Sequence, residues 1–352
     1  MDIHTITEEA ITLLCQLIGT PRISRQESEA ADLLQTFMTR RCGLDVCRSG
    51  NNLWTIAPGY DASRPTLLLN AHIDTVRPTA SWTRNPHEPV RMGGRIYGLG
   101  SNDDGASLVC LLQVFRLLCQ RGGMPCNVIY LASAEEEVSG RDGIESVLPQ
   151  LPPISVALVG EPTGMQPAIA EKGLMVLDVT CHGRSGHAAR DEGDNAIYHA
   201  LDDIQWFRTH QWPRVSPLLG AVKMSVTIVN AGTQHNVVPE RCTFTVDVRS
   251  NELYSNAELL EAIRPHVQGD VVARSLRLGS SSIPESHPLV QRAIALGRTP
   301  FGSPTLSDQA LMPFPSMKMG PGQSSRSHTA DEYILEEEIA EAIPLYLSLL
   351  IP

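Results

Sequence analysis

The sequence lacks the features that mark several classes of protein. Its 28 lysines and arginines are outnumbered by 39 aspartates and glutamates, so no basic surplus is available to neutralise a nucleic-acid backbone. No apolar run approaches the roughly 18 to 20 residues of a membrane span. The first residues, Met1-Asp-Ile-His, have neither the basic start nor the apolar core of a signal peptide. These absences argue against nucleic-acid and membrane partners.

Disulfide and thiolate-metal frameworks are also missing. The eight cysteines are scattered and form no Cys-x-x-Cys pair. Several stand in apolar stretches, which favours buried, reduced thiols and a cytoplasmic location. The chain has 352 residues, of which 42% are hydrophobic, and no low-complexity tract, so it can form one large or two ordinary globular domains.

The first half of the chain alternates strand and helix patterns, as in a mostly parallel α/β sheet. Residues 65–71, 127–132 and 156–159 are apolar runs of strand length, and each is followed by ionisable residues. The carboxyl ends of such strands are where ligand sites gather. Ser24 and Glu27 have the spacing of a capping box, which predicts a helix that begins there.

The pattern changes from about Gly173, where a β-α-β-β-α-β order begins that is typical of a ferredoxin-like domain. The α/β rhythm resumes after Pro284. We therefore predict a large domain made of residues 1–173 and 283–352, with a smaller domain, residues 174–282, inserted into it.

Histidines and carboxylates recur where strands end. They are His72 with Asp74, Asp103 with Asp104, the run Glu135–Glu137, Glu161, and His328 in a later loop. Because side chains alternate along a strand, His72 and Asp74 project to the same side, an arrangement that suits a metal ligand with an orienting carboxylate. Two histidines and several carboxylates suit a pair of divalent cations that share one bridging carboxylate.

Each cluster also has an ordinary interpretation when it is taken alone. Asp103 could cap the following helix, since an acid is favourable at a helix N-terminus. The glutamate run could be a solvated charged segment, and Glu161 and His328 could be loop residues. Accidents of this kind would not all fall at strand ends, so the convergence favours a metal centre.

Five motifs together resemble the M20 metallopeptidase/deacylase family, over nearly the whole chain. They are Asn70-Ala-His-Ile-Asp-Thr-Val, Tyr97-Gly-Leu-Gly-Ser-Asn-Asp-Asp-Gly-Ala, Ala134-Glu-Glu, Gly160-Glu-Pro-Thr and Ser327-His-Thr-Ala-Asp-Glu. Within the family, the chain is most similar to the acetylornithine deacetylase and succinyl-diaminopimelate desuccinylase branch. The resemblance implies a two-domain fold whose inserted domain is a lid and dimerisation surface. It also implies two divalent metal ions; zinc suits the ligands best, and cobalt and manganese are compatible.

Carried over residue by residue, the resemblance implies a set of metal ligands. His72, Asp103 and Glu161 would hold one metal ion. Asp103 would bridge to a second ion, which Glu136 and His328 would hold. These are expectations from the family motifs.

The same resemblance assigns roles to three neighbouring acids. Asp74 would orient His72 by hydrogen bonding. Glu135 would be the general base, which takes a proton from the attacking water and delivers it to the leaving amine. The third acid, Glu137, leaves the register open, and Glu136/Glu137 is the alternative pair of base and ligand. Asp104 competes with Asp103 as bridging ligand, but the Gly-x-Gly-x-x-Asp spacing selects Asp103.

Three residues of the inserted domain match family positions near the substrate, and Lys172 lies at the hinge into that domain. His187 resembles a histidine that reaches the partner subunit's site and stabilises the oxyanion, which implies a homodimer. Asn236 matches a second lid residue. Arg249 matches an arginine associated with the substrate carboxylate, although a salt bridge within an edge strand is an alternative. Lys172 could be structural or could contact substrate.

The predicted reaction is hydrolysis of an N-acyl amino acid by two metals. The substrate would be an acetyl or succinyl derivative of ornithine or citrulline, in arginine biosynthesis. A succinyl group would need a cationic contact, for which Arg190, Arg326 and Lys318 are candidates. The alternatives are a di- or tripeptidase of the same family and a non-catalytic metal-binding relative.

Overall fold

The computed structural model describes residues 2–351. The helices are α1 (Ile3–Ile18), α2 (Ser28–Thr36), α3 (Ala106–Arg121), α4 (Ile144–Val147), α5 (Ala196–Thr209), α6 (Asn256–Ile263), α7 (Pro288–Ala295) and α8 (Glu336–Leu350). The strands are β1 (Cys47–Ser49), β2 (Asn52–Ile56), β3 (Thr66–His72), β4 (Val90–Met92), β5 (Arg95–Tyr97), β6 (Asn127–Ser133), β7 (Val156–Val159), β8 (Ala168–Glu171), β9 (Met175–His182), β10 (Gly186–His187), β11 (Lys223–Ala231), β12 (Val237–Val238), β13 (Arg241–Arg249), β14 (Asp270–Ala273), β15 (Ser281–Ser282), β16 (Phe301–Ser303), β17 (Ser316–Lys318) and β18 (Tyr333–Leu335). Within the described residues, no helix combines the length and the apolar character that crossing a bilayer requires.

The described chain forms two compact units. The first contains the residues up to Ile169, Ile283–Phe301 and the chain from Ser307 onward. The second contains Ala170–Ser282 and Gly302–Leu306. Residues 170–173 and 302–306 therefore pack with the inserted unit, whereas the sequence pattern grouped them with the large domain.

The sheet of the first unit runs in the order β1-β2-β6-β3-β7-β17-β8. The pairs β6·β3, β3·β7 and β7·β17 at its centre are parallel, and the flanking pairs are antiparallel. Every residue of β3 and β6 is buried. Burial on both faces explains why these strands are continuous apolar runs. The parallel pairings at the centre confirm the predicted mostly parallel α/β sheet.

Helix α3 forms the centre of the first unit's hydrophobic core. Its residues Val109, Leu112 and Phe115 are each 0% exposed, and the helix packs against α1 and α8. A helix that is apolar on nearly every side needs neighbours all round, which these contacts supply. This packing holds the segment that precedes α3, and with it Asp103, against the sheet.

The second unit has a four-stranded sheet in the order β11-β13-β9-β14, and all of its pairings are antiparallel. Together with α5 and α6 it follows the chain order β-α-β-β-α-β. Leu177, Val179, Phe244 and Val246 form part of this unit's own buried apolar cluster. The ferredoxin-like prediction is confirmed.

The predicted capping box of α2 was wrong. The helix begins at Ser28, with Glu27 at its N-cap and no side-chain cap. The Ser24 hydroxyl instead donates to Asp74 Oδ2 at 2.6 Å. A tertiary hydrogen bond to a buried carboxylate thus replaces the local one that the Ser24/Glu27 spacing suggested.

Candidate metal centre

The parallel register of the first unit brings three strand ends to the same edge. His72, the last residue of β3, lies opposite Ser133, the last residue of β6. Asn70 of β3 lies opposite Val159, where β7 ends. The glutamates that follow β6 and the Glu161 that follows β7 therefore emerge beside His72.

His72 is 2% exposed, and both of its ring nitrogens have close neighbours. Its Nδ1 lies 2.9 Å from the main-chain oxygen of Asp74, so Nδ1–H donates to that oxygen and Nε2 faces the candidate carboxylates. Nε2 lies 3.2 Å from Asp103 Oδ1 and 3.9 Å from Glu136 Oε2. A neutral imidazole with Nε2 free is the form that binds a metal.

The carboxylate of Asp74 faces His72 and also holds the segment that follows β6. Its Oδ1 lies 3.6 Å from His72 Nδ1, and the main-chain oxygen of Asp74 lies 2.9 Å from the same nitrogen, so both parts of Asp74 adjoin the imidazole. The carboxylate accepts hydrogen bonds from the backbone N–H of Glu136 at 3.0 Å and of Glu137 at 3.2 Å. Asp74 thereby positions the segment that carries these two glutamates.

Asp103 lies between the two histidines. Its Oδ2 is 3.6 Å from His328 Nε2, while its Oδ1 faces His72. His328 Nε2 is also 3.0 Å from Glu137 Oε2. A carboxylate between two imidazoles is suited to bridge two cations.

Two ligand groups emerge from this geometry. The first is His72, Asp103 and Glu137, and the second is His72, Glu136 and Glu161; within each group, the candidate ligand atoms all lie within 4.8 Å of one another. Asp104, the competitor of Asp103, belongs to neither group. Imidazole nitrogens and carboxylate oxygens at such spacing suit zinc, cobalt or manganese.

The electrostatics of the centre also fit a pair of cations. Burial raises the pKa of Glu136 and Glu161 well above the usual range, and neighbouring carboxylates raise both further. The hydrogen bond that His328 Nε2 donates to the Glu137 carboxylate raises the pKa of His328 to about 9. Bound divalent cations would remove the repulsion among these carboxylates, so the residues present fit the dinuclear site that the motifs imply.

The placement of the glutamate run favours the alternative register. Glu135 belongs to neither ligand group, and its Oε2 lies 3.6 Å from Arg25 Nε. It is Glu137, and not Glu136, that contacts His328. The geometry therefore supports Glu136/Glu137, rather than Glu135/Glu136, as the pair of base and ligand.

Glu332 supports the centre in a way that the sequence did not reveal. Its carboxylate is 2% exposed and accepts backbone N–H groups from Gly100 at 3.0 Å, Asn102 at 2.8 Å and Asp103 at 2.9 Å. Three charge-assisted hydrogen bonds fix the turn that presents Asp103. The only signal was the position of Glu332 at the end of the Ser327-His-Thr-Ala-Asp-Glu motif.

In the second unit, His187 and Asn236 lie on neighbouring strand segments and are exposed. His187 Nδ1 accepts from the backbone N–H of Ala189 at 3.1 Å. The main-chain oxygen of Asn236 accepts from the backbone N–H of Ala188 at 3.0 Å. The structure thus brings these two candidates together within their own unit.

The other cationic residues predicted to contact substrate differ in their exposure and in their ion-pair partners. Arg249 donates through Nε and Nη2 to the Asp247 carboxylate, at 2.8 and 3.0 Å, which is a salt bridge as in the alternative, although β13 is an inner strand and not an edge strand. Arg326 donates to Glu338 at 2.7 Å. Lys318 is only 2% exposed. Arg190 is exposed on the second unit.

A family model described as peptidase family M20/M25/M40 matches residues 68–351. A Pyrobaculum aerophilum protein provisionally named LysW-lysine/LysW-ornithine hydrolase is 28% identical, over 77% of this chain and 76% of its own length. The succinyl-diaminopimelate desuccinylase of Corynebacterium glutamicum is 27% identical, over 97% of this chain and 96% of its own.

Among solved structures, the chain is similar to the YxeP protein of Bacillus subtilis, described as a dinuclear metal-binding peptidase from the M20 family. The TM-score is 0.75 at 17% identity, and the match covers 99% of this chain and 98% of that one. At this identity, the likeness concerns the fold.

Proposed function

Because the chain belongs to peptidase family M20/M25/M40, a family of metal-dependent amide hydrolases, we propose that it removes the acyl group from an N-acylated amino acid. The observation that carries this proposal is the cluster of His72, Asp103, Glu136, Glu161 and His328 at one edge of the first unit's sheet. The names of the curated relatives support an acylated amino acid over a longer peptide.

We assign the ligands from the distances between side chains. His72, Asp103 and Glu161 would hold one ion, and Asp103, Glu137 and His328 the other. Asp103 is the bridge because it is the carboxylate within 3.6 Å of both histidines. Zinc is the proposed metal. When bound, such a pair of ions activates water and polarises the scissile carbonyl.

Glu136 is the proposed general base. Its carboxylate lies on the same side as His72, and its main chain is held by Asp74. The raised pKa of Glu136, caused by burial, favours a carboxylate that takes up a proton and then delivers it to the leaving nitrogen. Glu135 points to Arg25 and takes no part in this transfer.

A homodimer with His187 reaching the partner's site remains part of the proposal. Two elements of the second unit support it. Helix α5 exposes Tyr198 and Leu201, at 67% and 55%, and the edge strand β11 exposes Ile228 and Val229, at 49% and 54%. Exposed apolar side chains on adjoining elements are typical of an interface. The cytoplasmic location stays a prediction.

The substrate is the finer part of the proposal. Acetylornithine and succinyl-citrulline follow from the family motifs, and with them arginine biosynthesis. The relatives are named for lysine, ornithine and diaminopimelate derivatives, which widens the class to acylated diamino acids and includes lysine biosynthesis. A dipeptidase is the second candidate, because the YxeP likeness is to a peptidase.

The test is a substrate panel with the zinc- or cobalt-loaded protein. It contains N-acetylornithine, N-succinyl-citrulline, N-succinyl-diaminopimelate and a set of dipeptides. We expect turnover of at least one acyl amino acid with kcat/KM well above that for any dipeptide. Turnover of dipeptides alone would replace the deacylase by a peptidase. No hydrolysis of any substrate, together with a measured metal content near zero after incubation with either ion, would indicate the non-catalytic relative.

A further inference from the structure

Arg22 is a buried arginine in the loop between α1 and α2, with 2% of its surface exposed. Its Nη1 donates to the carbonyl of Ile73 at 2.5 Å, and its Nη2 donates to the carbonyl of Gly100 at 2.7 Å. Ile73 directly follows His72, and Gly100 opens the turn that carries Asp103. One guanidinium therefore joins the two segments that present the central candidate ligands.

Gly100 is held from both sides. Its carbonyl accepts from Arg22, while its N–H donates to Glu332 at 3.0 Å. Gly100 has φ +73°, and a Cβ at this position would lie 2.5 Å from Arg22 Nη2. The turn thus combines a left-handed residue with a close approach of the guanidinium, and glycine allows both.

The charge of Arg22 is compensated within the first unit. Burial lowers its pKa, but four nearby carboxylates raise it, those of Glu332, Asp74, Asp104 and Asp103. Glu332 and Asp74 are the two carboxylates that anchor the backbone of ligand-bearing segments. A buried charge persists where such partners surround it. Arg22 is therefore a cation close to both of these carboxylates.

The planar fork of arginine explains why this residue type stands here. Two N–H groups on different nitrogens reach two carbonyls in a fixed geometry, which a lysine ammonium on a flexible stem does not reproduce. The β-bridge between Ile23 and Thr75 holds the Arg22 loop alongside the end of β3. The position of the guanidinium is thus set by the fold.

We propose that Arg22 is a positioning residue of the metal centre, which holds the His72 strand end and the Asp103 turn at the separation that binding of two ions requires. Its hydrogen bonds to Ile73 and Gly100 both go to main-chain carbonyls, so Arg22 would act on the ligands through the backbone that carries them. The inference rests on the proposed function in one respect, namely that the centre binds two metal ions.

The test compares three variants of the full chain with the unmodified protein. Arg22→Met removes the charge and both donors, and Arg22→Lys keeps the charge but not the fork. Arg25→Met is the matched control, because Arg25 is an exposed arginine of the same loop. Metal-free protein is titrated with Co²⁺, and both the heat of binding and the visible absorption of the bound ion are followed.

For Arg22→Met, we expect Co²⁺ affinity to fall about 10- to 100-fold at one or both sites, with an altered absorption spectrum. Arg22→Lys should show a smaller loss, also with an altered spectrum, and Arg25→Met should match the unmodified protein. A purely stabilising role would lower the melting temperature but leave the spectrum of the folded protein unchanged, which would overturn the proposal.

Wild-type affinity and spectrum in Arg22→Met would also overturn it. If Arg22→Met does not fold, Arg22→Lys decides in the same way: an unchanged affinity and spectrum overturn the proposal, and a change in both supports it. Failure of the unmodified protein to bind Co²⁺ is a different result, because it would overturn the metal centre itself and the inference with it.

Discussion

The candidate residues of the first unit are built differently from those of the second. His72, Asp74 and Asp103 are 2%, 0% and 8% exposed, and buried carboxylates hold the backbone around them. His187 and Asn236 are exposed, and their segments are held by main-chain hydrogen bonds within their own unit. The first unit thus contains a pre-organised cluster of candidate ligands. His187 and Asn236 would act only on a substrate or partner group that binds beside them.

This difference matters because pre-organisation determines which step each residue affects. Ligands fixed by main-chain hydrogen bonds keep their geometry when no substrate is bound. Exposed residues can act on substrate without any effect on the metals. Changes in the first unit should therefore alter metal binding or the chemical step, and changes in the second should spare the metals.

Metal removal should have the largest effect. Dialysis against a chelator should bring hydrolysis to background, and addition of Zn²⁺, Co²⁺ or Mn²⁺ should restore it, because the bound ions would activate the water and polarise the scissile carbonyl. Metal analysis and activity are measured on the same sample. Full activity in protein shown to contain no metal would mean that the first unit's cluster is not a catalytic metal centre.

Glu136→Gln should lower kcat by about 10²- to 10⁴-fold, because it removes the proton acceptor beside His72. The metal content should stay near that of the unmodified protein. The matched control is Glu135→Gln, whose side chain faces Arg25 and whose loss should change kcat little. If Glu135→Gln proves to be the inactive variant instead, Glu135 is the general base and Glu136 the metal ligand.

His187→Ala should lower kcat by about 10²- to 10³-fold, as expected for the loss of one oxyanion donor. Both metal ions should remain bound, since His187 belongs to neither candidate ligand group. Mixed dimers of His187→Ala and Glu136→Gln subunits should regain activity, because one site of each dimer then has both groups intact. Absence of rescue would mean that no site is shared between subunits.

Arg249→Met should have the smallest effect, chiefly a rise in KM of about tenfold, through loss of a charge-assisted contact with a substrate carboxylate. Asp247→Asn is the control, because it weakens the ion pair but leaves the arginine in place. An unchanged KM in Arg249→Met, together with a lower melting temperature, would assign Arg249 to the strand alone.

Much of the fold was readable from the sequence because its signals are local. The apolar runs of β3 and β6 were predicted close to their observed bounds. The capping box at Ser24 failed because its hydroxyl found a partner 50 residues away, in Asp74. Local pattern carries no information about such a distant competitor.

The glutamate run shows the same limit inside the site. Glu135, Glu136 and Glu137 are chemically equivalent, so the sequence left two registers open. The choice depends on the backbone after β6, where Glu135 adopts φ +56° and Asp74 binds the next two amides. The conformation of this turn decides which carboxylate faces His328. It cannot be read from the three glutamates by themselves.

The sequence alone determined which residue types could form the centre and that they follow strand ends, because strand pattern and motif order are properties of the chain. Tertiary structure decided which atoms meet. It placed Glu137 at His328, assigned the Asp74 carboxylate to the main chain of Glu136 and Glu137, and enclosed Arg22 among four carboxylates. Hydrogen bonds between distant segments form only after the sheet has brought those segments together, and for this reason they were not visible earlier.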